Sequence, residues 1–321
     1  MDSSFSTAFG DYWKATRERL DAEFECWVPR FFDRQPAPVV AAIREVLAGG
    51  KRLRGCLVCL LSEALGGAPA AAVPRALAVE CVQAASLIHD DLIDGDTLRR
   101  NRAATWTIKG PRRAVLLGDL IFATALQRMA ELSRSDALAL GEAIATMATG
   151  AYQEPLVPSD LEQHLDVDTA SFYPQLIYLK SGVLFGTAAR MGALAAGASA
   201  PLAALAFEYG ARIGEAYQIA DDLQDLVELT ADGPTTAAQL PLLAPALRHF
   251  CAEVDRSSQA VLTVETAARV RPQLRNGMLA AIEARLQQAM VAADQLPSGR
   301  YRVLLHTAPH DIVRTMLVGA P

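Results

Sequence analysis

The sequence predicts an all-α fold, and three observations carry the prediction. Helix formers (Ala, Leu, Glu, Arg, Gln) dominate a chain that is 51% hydrophobic but only 6% aromatic. Runs of Val, Ile, Thr and Tyr in strict alternation are absent. The apolar stretches, such as Ala76 to Ile88, are too long for ordinary strands. The length of 321 residues is enough to bury a large core and allows one or two domains.

Taken in order, residues 1–35 read as a charged-faced helix ending near Pro36 and Pro38. A helix from Pro38 to Ala48 stops at Gly49-Gly50, a helix-end signal. Lys51 to Leu65 follows, with Lys51, Arg52 and Arg54 in its first turn. Cations at a helix N-terminus oppose the dipole, and this local misfit points to a bound anion. Gly66 to Pro69 is a turn, and the next helix runs through Ala76–Ile88 toward Asp94. Residues 101–113 read as a polar loop, and Gly118-Asp119 as the opening of an apolar helix in which Asp119 is an N-terminal structural carboxylate. Helices are expected over 114–133, 136–151 and Phe172–Met191, and from Pro201 to Asp225. Asp160 to Asp168 reads as an exposed acidic segment, and 244–295 as two further helices. The tail beyond Pro297 gives no reading.

The chemistry concentrates in two places. His89-Asp90-Asp91-Leu92-Ile93-Asp94-Gly95-Asp96 ends one apolar run and leads to Arg99-Arg100. Asp221-Asp222-Leu223-Gln224-Asp225 ends another. On a helix, Asp90 and Asp94 share one face, and their repulsion must be offset. A divalent cation does this, because hard cations take carboxylate oxygens and keep positions open for phosphate. One such motif is weak evidence, since an acidic helix end is commonly a solvated turn. Two copies suggest carboxylate clusters facing each other across a pocket, with metal ions and a polyanion between them.

The net charge of −6, with no basic stripe, argues against a nucleic-acid partner. Lysine occurs only at 14, 51, 109 and 180, so Lys51 and Lys180 are particular choices of a compact ammonium. Cys56-x-x-Cys59 lies in an apolar run without a second pair and reads as two small buried hydrophobes. The N-terminus has neither a basic nor an apolar leader region, and a reduced, cytoplasmic protein is expected. The apolar window Gly192–Ala206 is too short to span a bilayer, so no stable membrane anchor is expected.

Together Gly49-Gly50-Lys51-Arg52-Leu53-Arg54, the first acidic motif with Arg99-Arg100, Gly118-Asp119, Lys180-Ser181-Gly182, and Gln218 with the second acidic motif resemble the trans-isoprenyl diphosphate synthase (polyprenyl synthetase) family. The resemblance runs from about Gly49 to Leu243. It implies one all-α domain over 1–321, with about ten or more helices around a central cavity. It implies head-to-tail condensation of isopentenyl diphosphate with an allylic diphosphate, in a homodimer. Three Mg2+ ions would be held by Asp90, Asp94, Asp221 and Asp225, with Lys180 and Arg99 assisting ionisation. Arg99, Lys180, Ser181 and Gln218 would bind the allylic diphosphate; Lys51, Arg54, Arg100 and Gln83 would bind isopentenyl diphosphate.

Gln83 stands where the family carries a histidine, and Trp106 where many relatives carry another. The basic loop that usually follows the second motif is shortened here and holds no lysine or arginine. Ala85, five residues before Asp90, with Cys81 and Val82 on the next turn, leaves room for a product of about C20 or longer. Two other readings stay open: a class I terpene cyclase, favoured by Gln83 and the missing basic loop, and a non-catalytic partner subunit. Lys51, Arg54 and Arg100 speak against the first, and two intact acidic motifs against the second.

Overall fold

The computed structural model describes residues 8–154, 169–228, 244–251 and 264–317, which fold as helices around a central core. The acidic segment Asp160–Asp168 and the shortened loop lie outside the described residues, apart from the end of the helix that leads into that loop. The helices are α1 (Ala8–Phe31), α2 (Ala37–Leu47), α3 (Leu53–Ala64), α4 (Pro69–Ile93), α5 (Thr105–Lys109), α6 (Pro111–Leu132) and α7 (Arg134–Gln153). After α8 (Thr169–Ile177) come a π-helical turn (Tyr178–Gly182), α9 (Val183–Ala195) and α10 (Ala200–Glu228). Residues 244–250 are helical, and α11 (Val264–Gln295) and α12 (Arg302–Leu317) complete the chain.

Most expected elements are present, with local corrections. Arg52 has a left-handed backbone (φ 54°), so α3 starts only at Leu53 and Lys51 and Arg52 lie ahead of it. The stretch 101–113 is not a loop. Leu98–Arg99 (β1) pairs antiparallel with Arg102–Ala103 (β2), and α5 follows. Arg100 and Asn101 both have positive φ, as a two-residue hairpin turn demands, and the ribbon is too short to show strand alternation. Pro111 then starts α6, its ring preset for the first helical turn. Gly118-Asp119 therefore lies in the middle of α6, and Asp119 is no helix-start carboxylate. A Cβ at Gly118 would come within 2.2 Å of the His89 ring, so the glycine serves helix packing. Beyond Pro297, Arg302–Leu317 form α12.

The core has two parts bridged by α10. Leu57, Leu60, Leu77, Ile121, Phe185 and Tyr209 belong to the larger; Tyr173, Ile219, Leu247, Leu274 and Met278 belong to the smaller. Cys56 and Cys59 are buried free thiols whose burial pushes them up, Cys59 to about 12, as expected of small apolar side chains. Among the described residues α4 alone is long and apolar enough to cross a membrane, and 72% of that window is buried against other helices. α10 and the π turn approach each other closely. A Cβ at Gly214 would lie 2.7 Å from the Ser181 carbonyl oxygen and 2.8 Å from the Gly182 Cα. Gly214→Ala should therefore cost about 1–3 kcal/mol by overpacking. Thermal unfolding followed by circular dichroism should show a midpoint several degrees lower.

Candidate active site

α4 carries its acidic face to the very end of the helix. The Asp94 N–H donates to the Asp90 carbonyl at 2.8 Å, closing the last turn and setting both side chains on one face. Burial, the Asp94 charge and the Glu154 charge push Asp90 up to about 6. Burial, then Glu154, also raises Asp94. On α10, Asp221 and Asp225 are likewise one turn apart; burial raises Asp221 and pushes Asp222 up to about 6.

Lys180 acts on both acidic motifs. The sequence suggested a break at Gly182; the helix instead takes one extra residue. The Val183 N–H donates to the Tyr178 carbonyl, an i to i+5 bond. Such π turns change the direction of side chains within an otherwise continuous helix. Here the Lys180 ammonium meets the Glu154 carboxylate at 2.5 Å. Burial works to discharge Lys180, but Glu154, Asp222 and Asp221 together raise it well above the ordinary lysine value. Its charge also acts on Asp90 and Asp94. The two motifs therefore share one electrostatic neighbourhood.

Arg99 adds a second cation. Its Nε donates to Asp91 at 2.6 Å, and an Nη reaches Asp96 at 3.3 Å. The Trp106 indole donates to the Asp96 carbonyl at 2.7 Å, fixing the segment that precedes the ribbon. On α10 a hydrogen-bonded chain runs from Ser181 to Gln218 (2.6 Å), and from Gln218 to Asp222 (3.0 Å) and Asp221 (3.3 Å). The Tyr173 hydroxyl donates to the other oxygen of Asp222 at 2.7 Å.

The remaining cations gather around Gly50. The Arg52 and Arg100 guanidiniums flank it, and Arg100 donates to the Ala48 carbonyl at 3.4 Å. Arg52 is buried and consumed internally by Asp21 (2.8 Å), the Leu47 carbonyl (2.5 Å) and Glu80 (3.7 Å). Lys51 donates to the Thr315 carbonyl of α12 at 2.9 Å. Arg54 stacks on Phe185, 4.2 Å from the ring centre, and its buried Nε has no hydrogen-bond partner among the described residues. Burial lowers Lys51, Arg54 and Arg100 alike, so a cluster of three cations is held where an anion would relieve it. Asp221 acts on both Lys51 and Arg54, which sets this cluster beside the acidic one.

Residues 37–233 match the family model described as polyprenyl synthetase. The chain belongs to the polyprenyl synthetase family. It is 36% identical over 185 residues to the short chain isoprenyl diphosphate synthase of Methanothermobacter thermautotrophicus, covering 57% of this chain and 56% of the relative. It is 36% identical over 198 residues to the geranylfarnesyl diphosphate synthase of Aeropyrum pernix, covering 58% and 61%. The matching part thus spans little more than half the length of these curated relatives. A polyprenyl synthase from Caulobacter crescentus CB15, solved in complex with calcium and isoprenyl diphosphate, superposes with a TM-score of 0.74. It is 25% identical, and the match covers 94% of this chain and 97% of that one.

For a polyprenyl synthetase, the sequence placed Asp90, Asp94, Asp221, Lys180 and Arg99 in one neighbourhood, and the fold brings them there. Gln83, Ala85, Cys81 and Val82 lie on α4 ahead of Asp90, the last three fully buried in the core. Glu154 was missed, because one glutamate after a helix end carries no motif. Tyr173 and Thr315 were missed for the same reason: their partners lie 49 and 264 positions away.

Two outcomes test this description. Glu154→Gln removes a charge from beside Asp90 and Asp94 and should lower the Asp90 pKa, measured by NMR titration of 13C-labelled carboxyls. Asp90 and Asp222 are raised in the folded state, so the fold favours their protonated forms. Their contribution to stability is complete below about 4 and is lost as pH rises through about 6. The metal-free protein should accordingly lose several degrees of thermal midpoint between pH 5 and pH 7.5, by calorimetry.

Proposed function

We propose that this chain is a trans-prenyltransferase. It condenses isopentenyl diphosphate head-to-tail with an allylic diphosphate and releases a prenyl diphosphate of about C20 or longer. The observation that carries the reading is the second anion site. A pocket serving one diphosphate needs only the acidic motifs, Lys180 and Arg99. Lys51, Arg54 and Arg100 form a separate cation cluster next to Asp221, with a buried donor on Arg54 left unpaired among the described residues.

The donor set fits a hard divalent cation: carboxylates only, on two facing helix ends, buried enough to be raised. Mg2+ takes one or two carboxylates and keeps water and phosphate oxygens in its shell. Asp90, Asp94, Asp221 and Asp225 would hold three Mg2+ ions per site, which supply Lewis-acid stabilisation of the departing diphosphate. Lys180 and Arg99 donate to the oxygens on which negative charge develops as the allylic C–O bond breaks. Lys51, Arg54 and Arg100 hold isopentenyl diphosphate while its double bond attacks the allylic carbon. The new C–C bond forms, and the departed diphosphate accepts the proton lost in the elimination. The apolar α4 wall, with Ala85, Cys81 and Val82, excludes water and sets the depth open to the growing tail. Exposed Val115, Leu116 and Leu126 on α6 with Leu138 on α7 support pairing as a homodimer. The protein is assigned to the cytoplasm as one domain.

The test is a product assay with Mg2+, offering dimethylallyl, geranyl, farnesyl and geranylgeranyl diphosphates with and without isopentenyl diphosphate. Longer diphosphates should form only when it is present. Lys51→Ala should lower kcat/KM for isopentenyl diphosphate roughly 10- to 100-fold while leaving the allylic KM near its original value. Hydrocarbon or alcohol released from an allylic diphosphate alone would replace this reading with a cyclase, the reading that Gln83 and the absent basic loop favour.

A further inference from the structure

Gln218 stands where the family resemblance implies a donor to the allylic diphosphate, but its amide is already committed. A carboxamide has two N–H donors and one carbonyl acceptor. One nitrogen, Nε2, lies 3.0 Å from Asp222 Oδ1 and 3.3 Å from Asp221 Oδ2, so both hydrogens go to carboxylates of the second acidic motif. The opposite orientation would aim the amide carbonyl at two carboxylates. The two carboxylates, which only accept, thus select the orientation found, and the Ser181 hydroxyl donates to the remaining Oε1 at 2.6 Å. Ser181, Gln218 and Tyr173 are all at least nine-tenths buried, so water is a poor substitute for any of these bonds. Asp222 is used up in the same way: Gln218 reaches one oxygen and the Tyr173 hydroxyl, at 2.7 Å, the other.

We infer that Ser181, Gln218, Asp222 and Tyr173 form a positioning chain whose output is the aim of Asp221, and that Gln218 gives no hydrogen bond to the diphosphate. The inference rests on the proposed metal-dependent reading of the site. Three helical segments meet in the chain: Tyr173 comes from α8, Ser181 from the π turn, and Gln218 with both aspartates from α10. Asp222 is then the fixed post, Gln218 the strut, and Asp221 the member left with an oxygen for the metal. Outer hydrogen-bond partners of metal ligands commonly set affinity by 10- to 100-fold.

The experiment compares Ser181→Ala, Ser181→Thr and Tyr173→Phe with the parent protein. Binding of Mn2+ alone is followed by electron paramagnetic resonance, without prenyl substrate. Mg2+ activation and the allylic KM at saturating Mg2+ are measured beside it. Ser181→Ala and Tyr173→Phe should each weaken Mn2+ binding by about tenfold and raise the half-activating Mg2+ concentration similarly. For Tyr173→Phe the allylic KM at saturating Mg2+ should stay within about twofold, and Ser181→Thr, which keeps the hydroxyl, should retain parental Mn2+ binding. Unchanged Mn2+ binding with a raised allylic KM would make Gln218 a direct diphosphate donor and overturn the inference. Unchanged Mn2+ binding with unchanged kinetics would overturn it as well. The Mn2+ titration requires no turnover, so a failure of the prenyltransferase reading shows only in the product assay and is told apart from a failure here.

Discussion

The structure is organised by a deficit of positive charge. Asp90, Asp94, Asp221, Asp222 and Glu154 share a neighbourhood in which Lys180 is the cation felt by all of them. Burying like charges costs several kcal/mol unless partners neutralise them. The protein meets part of that cost internally, by running the Lys180 ammonium against Glu154, and leaves the rest for ligands. Other features of the fold serve this arrangement. The glycine face of α10 lets the π turn approach, and the small residues of α4 keep bulk away from the end that bears Asp90 and Asp94.

A matching surplus lies beside it. Lys51, Arg54 and Arg100 are buried enough to be lowered, and Arg54 keeps a donor without a partner among the described residues. The backbone accepts strain to bring them together: Arg100 and Asn101 both occupy the left-handed region, a conformation that non-glycine residues adopt at a cost. Arg52 adopts it too, but its charge is spent tying α1, α2 and α4 together through Asp21, Leu47 and Glu80. The three neighbouring cations at 51, 52 and 54 are chemically alike, yet one is a structural clamp and the other two feel the charge of Asp221.

That difference marks the limit of what the sequence discloses. The acidic motifs were legible because their chemistry is local: i and i+4 aspartates at the end of an apolar run share a face whatever the tertiary context. The all-α class and most helices were legible for the same reason. Glu154, Tyr173 and Thr315 were not, since each acts only through a partner that folding brings near. Gln218 shows a subtler limit. Its position is legible, but its role depends on which way the amide points, and the Asp221 and Asp222 carboxylates decide that through the side-chain geometry of the folded helix. The ribbon at 98–103 escaped because two-residue strands have no periodicity to detect, and the glycine at 118 because a packing glycine looks like a capping one.

The π turn at Tyr178–Gly182 has a consequence for how such a protein varies over evolutionary time. A π turn amounts to one residue inserted into a regular helix. Excising a single residue there would restore ordinary winding and undo the local redirection of side chains that the bulge creates. The ammonium would then leave its carboxylates while the flanking helices kept their faces. Substitutions along this stretch are graded changes, but its length is all-or-nothing. Drift in residue identity is therefore tolerable where drift in spacing is not, and the count of residues between Tyr173 and Gly182 is itself a heritable part of the candidate site.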